Sequence, residues 1–431
     1  MIDGGLSRFA GHTVLLLQGP MGPFFSRLAN DLRQAGATVQ KVNFNAGDAL
    51  FYRRGAHAFR GTIDQWPAAL ELLIDRWQVD VVLLFGDCRP LHRVAREITL
   101  RRDLELGVFE EGYVRPDYIT LERFGVNGHS RLPRLPGRYR RDDRLAPDSP
   151  ERVGNAYWHG ALWSVLYAAA ATLGRRAYPH YEHHRALDAA EALRWLRGAW
   201  RKACLALRER GLQERLTVAD SGRYFLVPLQ VRGDAQIRNH SPYPDVAAFI
   251  EAVMVSFAGH APPESLLVIK HHPMDRAHGD YSRLIRRLAK QLGLGDRCLY
   301  LHDQHLPALL SHARGVVVIN STAGLQALHH GRSTKVCGKA IFDVEGLTYR
   351  GDMHSFWADA PSFKPDQELL RQFHEFLVAS TQINGNFYRR LRDSPLASGV
   401  FWTPAGATPA ANAASCVAAQ QPSDGQMMLQ T

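Results

Sequence analysis

With 431 residues, 45% of them hydrophobic and 22% charged, the chain is too long for one small domain and too evenly composed for a disordered, fibrous or membrane-embedded class. Its 52 basic and 42 acidic residues leave a formal charge of +10, which favours an anionic partner such as a nucleotide, a sugar acid, an anionic lipid or nucleic acid; of these, nucleic acid lacks any recognisable module. Five scattered cysteines, Cys88, Cys204, Cys298, Cys337 and Cys416, suit neither a disulfide framework nor a thiolate metal site, and fit a reducing cytoplasm.

The first apolar run, residues 14–17, is too short for a signal peptide, and none is expected. Residues 12–18 read as a buried strand, 19–23 as a glycine-bearing turn, 24–35 as a helix and 38–44 as a second strand. This βαβ start places Gln18 and Gly19 where a ligand would meet the backbone. The turn lacks the G-x-G-x-x-G fingerprint, so no nicotinamide cofactor is expected. A polar loop at 43–48 carries Asn45 and Asp48. A helix over 66–77 leads to a parallel-type strand at 79–85, which ends in Gly86-Asp87-Cys88-Arg89-Pro90 before a helix over 92–100. Open α/β sheets bind ligands at such strand ends, which makes Asp87 and Arg89 candidates, while an aspartate here is equally a common helix cap.

The next apolar run ends in Glu110-Glu111-Gly112, with Arg115 three residues on. On a strand the two carboxylates point to opposite faces, so one can serve chemistry while the other braces the turn. Two solvated carboxylates paired with Arg115 or Arg123 are the plain alternative.

Residues 131–150 form an arginine- and proline-rich connection. Residues 157–173 form an apolar helix, shorter than the ~20 residues a span needs, expected to be buried or to lie on a membrane surface. His180, His183 and His184 lack acidic or cysteine partners at metal-binding spacing, and no metal is expected. A helix over 186–211 sets Arg194, Arg197, Arg201 and Lys202 beside Trp195 and Trp200, which suits an anionic membrane surface or a solvated face with its tryptophans in the core.

A second α/β unit begins at residue 223, with strands at 224–229, 265–269, 298–301 and 315–319 alternating with helices at 246–257 and 281–292 and a short one from 306. Two Rossmann-like domains facing a central cleft are therefore expected. Gln230 opens the polar loop after the first of these strands, and Lys270-His271-His272-Pro273 ends the second. Asn320-Ser321-Thr322-Ala323-Gly324 ends the last, just before a helix, where backbone N–H groups, two hydroxyls and the helix dipole make a phosphate site. The alternatives are a plain cap at Ser321 or Thr322 and a buried structural His271. A turn-held histidine could neutralise a leaving phosphate with no metal.

Seven motifs then occur in order: Gln-Gly-Pro-Met-Gly-Pro-Phe-Phe from Gln18, Asn-Phe-Asn-Ala-Gly-Asp from Asn43, Phe-Gly-Asp-Cys-Arg-Pro from Phe85, Phe-Glu-Glu-Gly-Tyr-Val-Arg-Pro from Phe109, His-His-Pro from His271, Asn-Ser-Thr-Ala-Gly from Asn320, and Thr-Gln-Ile-Asn-Gly-Asn-Phe-Tyr from Thr381. Together they resemble capsular polysaccharide export and biosynthesis proteins of the KpsS and LipB type, from near the start to about residue 392. The resemblance implies a metal-independent, retaining β-Kdo glycosyltransferase of GT-B-like architecture, peripheral to the inner membrane. It would use CMP-β-Kdo as donor and a phosphatidylglycerol-type lipid as acceptor, beginning the poly-Kdo linker of a Gram-negative capsule, with other capsule proteins as further partners and no cofactor. It makes Glu111 the nucleophile or base, with Glu110 second, and assigns Lys270, His271, His272, Pro273, Asn320, Ser321, Thr322, Gly324 and Gln230 to the donor. Gln18, Gly19, Asn45, Asp48, Asp87, Arg89 and Arg115 would line the acceptor side. Related transferases often carry Asp where this chain has Glu111, whose extra methylene reaches further. A non-catalytic capsule-assembly subunit, or an enzyme of this architecture using another nucleotide sugar, is the alternative.

The expected organisation is an N-terminal unit at 1–140, a basic helical segment at 141–215, a C-terminal unit at 216–360, helices closing the cleft at 361–395, and a disordered tail at 396–431.

Overall fold

The computed structural model describes residues 4–140, 150–182 and 189–402, with side chains left out at 189–196 and 199. His183, His184, the side chains of Arg194 and Trp195, the 141–149 part of the connection and the 403–431 part of the tail therefore lie outside what is described, while residues 396–402, expected to be disordered, are ordered against the first unit, with Val400 fully buried and Phe401 bridged to Asn384.

Twelve strands are present among the described residues: β1 (Thr13–Leu16), β2 (Thr38–Asn43), β3 (His57–Ala58), β4 (Val81–Phe85), β5 (Glu105–Glu111), β6 (Tyr118–Arg123), β7 (Tyr224–Pro228), β8 (Leu266–Lys270), β9 (Cys298–Leu301), β10 (Gly315–Val318), β11 (Ser333–Val336) and β12 (Gln382–Asn384). They form a seven-stranded sheet in the order β12-β6-β5-β4-β1-β2-β3 and a five-stranded sheet in the order β11-β10-β7-β8-β9. The fold is α/β, two Rossmann-like units in a GT-B-like arrangement.

Both sheets are buried on two faces, which is why their strands read as continuous apolar runs. Val14, Leu16, Leu83 and Phe109 join one core cluster of the first sheet, while Leu15, Leu17, Val82, Leu84 and Val108 join the cluster on its other face. In the second sheet Tyr224, Leu226, Val268 and Val316 face one core, and Phe225, Val227, Ile269 and Val317 the other. The five-stranded sheet is wholly parallel. The seven-stranded sheet ends in an antiparallel edge, β5-β6-β12.

That edge corrects the expectation that the whole of 361–395 forms helices closing the cleft: residues 382–384 are a strand of the first sheet. β12 adds to β6, and Phe387 packs edge to face on Phe24 and Phe85 at centroid distances of 4.9 and 5.2 Å, so the segment completes the first unit. The segment between the units also divides. Helix Tyr157–Leu173 packs on helix Ala46–Phe51, with the Phe51 and Trp163 rings 5.7 Å apart, whereas Arg201 of helix Ala189–Arg208 pairs with Asp280 at 2.7 Å on the second unit. Arg197 likewise donates to the Ala277 carbonyl, so two arginines of the basic face turn toward protein. Trp200 is 68% exposed, which excludes it from the core.

Candidate active site where the two sheet edges meet

In each sheet the chain reverses direction once, and the strand ends flanking that reversal form the crevice in which open α/β sheets hold ligands. For the first sheet the reversal lies between β1 and β4; for the second, between β7 and β10. An amide closes each one. Arg89 Nη1 donates to Gln18 Oε1 at 2.9 Å across the first. Gln230 Nε2 donates to Asn320 Oδ1 at 2.9 Å across the second.

The first edge is crowded with carboxylates. Glu110 and Glu111 end β5 and point to opposite faces, as the strand period requires. Glu110 Oε1 accepts from the Glu111 N–H at 3.0 Å and Oε2 from Asn127 Nδ2 at 3.4 Å. Glu111 Oε1 accepts from the Tyr388 hydroxyl at 3.2 Å. Burial, helped by Glu111 and Asp87, pushes the Glu110 carboxyl up to about 7 against the opposing effect of Arg89. Neither glutamate pairs with the arginines that the plain reading offered: Arg115 Nε donates to the Gly112 carbonyl at 3.1 Å, and Arg123 pairs with Glu105 at 3.1 Å. At Gly112 a Cβ would stand 2.0 Å from the Tyr118 carbonyl oxygen, so the turn after the two glutamates needs glycine. Gln382 Oε1 fixes that turn by accepting from the Tyr113 and Val114 N–H groups at 3.1 and 3.3 Å.

Asp87 is fully buried and is not a helix cap, since Arg89 holds that position before helix Pro90–Arg101. It accepts instead from His129 Nδ1 at 3.0 Å and from the Val126 N–H at 3.2 Å. Asn45 and Asp48 differ from the expected loop residues: Asn45 caps helix Ala46–Phe51 by accepting from the Asp48 N–H at 3.0 Å. Asp48 Oδ1 accepts from the Tyr167 hydroxyl at 2.7 Å, and Asn45 Nδ2 donates to the same hydroxyl at 2.7 Å. Gln18 Nε2 donates to the Tyr167 and Tyr181 hydroxyls at 2.9 and 3.0 Å. These groups seat helix Tyr157–Leu173. Gly19 has a packing reason, because a Cβ there would fall 2.6 Å from the Phe25 ring.

The second edge carries neutral donors. The Met274 N–H donates to His272 Nδ1 at 3.2 Å, which puts the proton of the neutral ring on Nε2. Burial lowers the pKa of His272, and Arg115 of the first unit is near enough to add to that lowering. Pro273 is exposed and starts the short turn. Ser321 Oγ accepts from the Ala323 N–H at 3.2 Å; Thr322, at the cap position of helix Ala323–His329, makes no side-chain cap. Asn320 Nδ2 donates to the Gln236 carbonyl at 3.2 Å. Three residues assigned to the donor prove to be internal. His271 is 1% exposed, with Nδ1 2.7 Å from the Tyr300 hydroxyl, and burial drives its pKa down to about 3. Lys270 Nζ lies 3.5 and 3.4 Å from the His271 and His302 carbonyls. Gly324 is required by packing, since a Cβ would stand 2.6 Å from the Phe342 ring.

The family model described as capsule polysaccharide biosynthesis protein matches residues 80–388, which include Asp87 to Arg115 of the first edge and all of the second. The chain belongs to this capsule polysaccharide biosynthesis family. It is 44% identical over 390 residues to the capsule polysaccharide export protein KpsS of Escherichia coli, covering 88% of this chain and 97% of that one. To the capsule polysaccharide modification protein LipB of Neisseria meningitidis serogroup B it is 39% identical over 391 residues, covering 89% and 93%. Among solved structures, Thermosulfurimonas dismutans KpsC, a beta Kdo 2,7 transferase, matches at 15% identity and a TM-score of 0.39, covering 86% of this chain and 92% of that one.

Sequence reasoning missed four groups at the junction of this capsule-family chain. Tyr388 lay inside a quoted motif with no role given to it. Glu122 is buried, accepts from the Tyr113 hydroxyl at 2.6 Å and the Ser130 hydroxyl at 2.5 Å, and is pushed up to about 7 by burial. His129 and His240 meet edge to face at 4.4 Å, and Cys88 Sγ lies 3.4 Å from His240 Nε2. Burial lowers His240 to about 4. Nothing local in the sequence signals these contacts: Tyr388 reaches Glu111 from 277 residues away, and His240 meets Cys88 and His129 from the other unit.

Proposed function

We propose that the chain is a retaining β-Kdo transferase that moves Kdo from CMP-β-Kdo to a (lyso)phosphatidylglycerol lipid at the inner-membrane surface, beginning the poly-Kdo linker of a capsular polysaccharide. The observation that carries this reading is the Glu110-Glu111 pair at the end of β5, with the two side chains divided between opposite faces and environments, opposite a second edge that offers His272 Nε2–H and the hydroxyls of Ser321 and Thr322. Family membership and the seven ordered motifs support it.

The anomeric carbon of Kdo is tertiary and bears a carboxylate, so its transition state is oxocarbenium-like. In a double displacement a Glu111 oxygen bonds to that carbon as the bond to CMP breaks, and CMP leaves with the bonding pair. His272 Nε2–H and the two hydroxyls would stabilise the departing phosphate. An acceptor hydroxyl then attacks the same carbon, the bond to Glu111 breaks with its electron pair returning to the carboxylate, and the hydroxyl proton passes to solvent water. In this scheme the phosphate is neutralised by protein donors, with no cofactor beyond the donor itself. No described helix is long and apolar enough to cross a membrane. Lipid contact would instead use helix Tyr157–Leu173, where Tyr157, Trp158, Leu162, Leu166 and Leu173 are exposed beside Arg175 and Arg176.

The test is transfer from CMP-Kdo, generated in situ, to a fluorescent phosphatidylglycerol analogue, read by mass and then by NMR for anomeric configuration. Gain of one β-linked Kdo supports the reading. Folded protein that binds CMP but forms no product overturns the acceptor, and failure to bind CMP overturns the donor.

A further inference from the structure

We infer that Cys88, His129 and His240 form a binding site for a zinc-class divalent cation that joins the two units. Cys88 follows β4, His129 ends the short turn Asn127–His129 after β6, and His240 ends helix Ala235–His240 of the second unit. One ligand atom from each lies within 4.8 Å of the others, although 152 residues separate Cys88 from His240. The 3.4 Å between Cys88 Sγ and His240 Nε2 is close to the ~3.5 Å edge of a tetrahedron built with Zn–S of ~2.3 Å and Zn–N of ~2.0–2.1 Å.

The surroundings are those of a built site. His129 Nδ1 faces the fully buried Asp87 carboxylate at 3.0 Å, so that nitrogen carries the proton and Nε2 keeps its lone pair for a cation. A carboxylate behind a ligating imidazole both fixes the ring and strengthens its basicity. Two glycines admit the rings. A Cβ at Gly128 would stand 2.2 Å from His240 Cγ, and one at Gly125 would stand 2.6 Å from His129 Cβ. The fully buried Asp87 carboxylate beside the three ligands supplies negative charge that favours a dication. Thiolate with two imidazoles selects zinc over calcium or magnesium, and three protein ligands leave a fourth position for water. Binding releases the Cys88 thiol proton to solvent, and the metal–ligand bonds would hold the two sheet edges together. None of this depends on which sugar donor the protein uses.

The test uses the whole protein, stripped with a chelator and titrated with Co²⁺. One equivalent should bind with tetrahedral visible bands and a near-ultraviolet thiolate-to-cobalt band, and Zn²⁺ should bleach both. Cys88→Ser should remove the near-ultraviolet band. Asp87→Asn should keep that band and weaken binding by about 10–100-fold. Absence of stoichiometric uptake by the wild-type protein, a cobalt spectrum without the thiolate band, or persistence of the band in Cys88→Ser would each overturn the inference. The wild-type titration decides even where a variant fails to fold.

Discussion

The carboxyl edges of the two sheets follow the same topological plan and carry opposite chemistry. Each has an amide at its reversal point, Gln18 in one and Gln230 in the other. With Gln18 the first edge carries Asp48, Asp87, Glu110 and Glu111; with Gln230 the second carries Asn320, Ser321, Thr322 and the Nε2–H of His272. The acid nearest Gln230, Asp234, is engaged in capping helix Ala235–His240 and in accepting from Gln230 itself at 3.0 Å. Topology therefore supplies two equivalent crevices, and side chains make one of them anionic and the other a set of donors. Under the proposed reading the first edge handles the sugar and the second the leaving phosphate.

The sharpest way to break this comparison is Glu111→Gln. Transfer should fall at least about 10³-fold while CMP affinity, set by the opposite edge, stays within about twofold. Near-normal turnover would remove the acidic edge from the chemistry. His272→Ala addresses the other edge. CMP affinity should drop about tenfold, close to the loss of one hydrogen bond to a charged group, by titration calorimetry. Unchanged affinity would place the phosphate elsewhere.

The pH dependence of stability separates the two edges more finely. Glu110 and Glu122 are each raised to about 7 by burial, so the folded protein holds protons that the unfolded chain releases above about 4.5. Stability is therefore greatest on the acid side and is lost as pH rises from about 5 through about 7. Urea unfolding at pH 5 and pH 8 should show that fall, and Glu122→Gln should reduce it by about 2 kcal/mol. An unaltered difference would mean that Glu122 ionises normally in the folded protein. The smallest effect is expected from Tyr167→Phe, which removes the hydroxyl shared by Asn45, Asp48 and Gln18 and should cost about 1–2 kcal/mol in urea unfolding. A loss below about 0.3 kcal/mol would show that helix Tyr157–Leu173 is seated by its apolar contacts alone.

Much of the first edge was legible from strand-end position. Asp87, Arg89, Glu110 and Glu111 stand where parallel strands stop, and the alternation of Glu110 and Glu111 follows from the two-residue strand period. Parallel strands were legible because burial on both faces writes them as unbroken apolar runs such as Val-Val-Leu-Leu-Phe at 81–85. The antiparallel edge was not. β12 is three residues long, and its pairing to β6 joins residues 262 apart in the chain, such as Gln382 and Thr120. Short local propensity carries no information about so distant a partner.

The amino-acid order alone thus determined the α/β class, the two repeated strand-loop-helix units and the strand-end positions of the acidic and His-His-Pro motifs, because each of these depends on periodicities within a few residues. Which member of a motif turns outward was decided by tertiary packing. His271 and His272 are neighbours, yet Tyr300 and the interior claim the first, while a backbone N–H orients the second toward the other unit. The meeting of Cys88 and His129 with His240 is likewise a property of the assembled molecule, since it exists only where the two sheets face each other and a glycine at 128 lets the imidazole in.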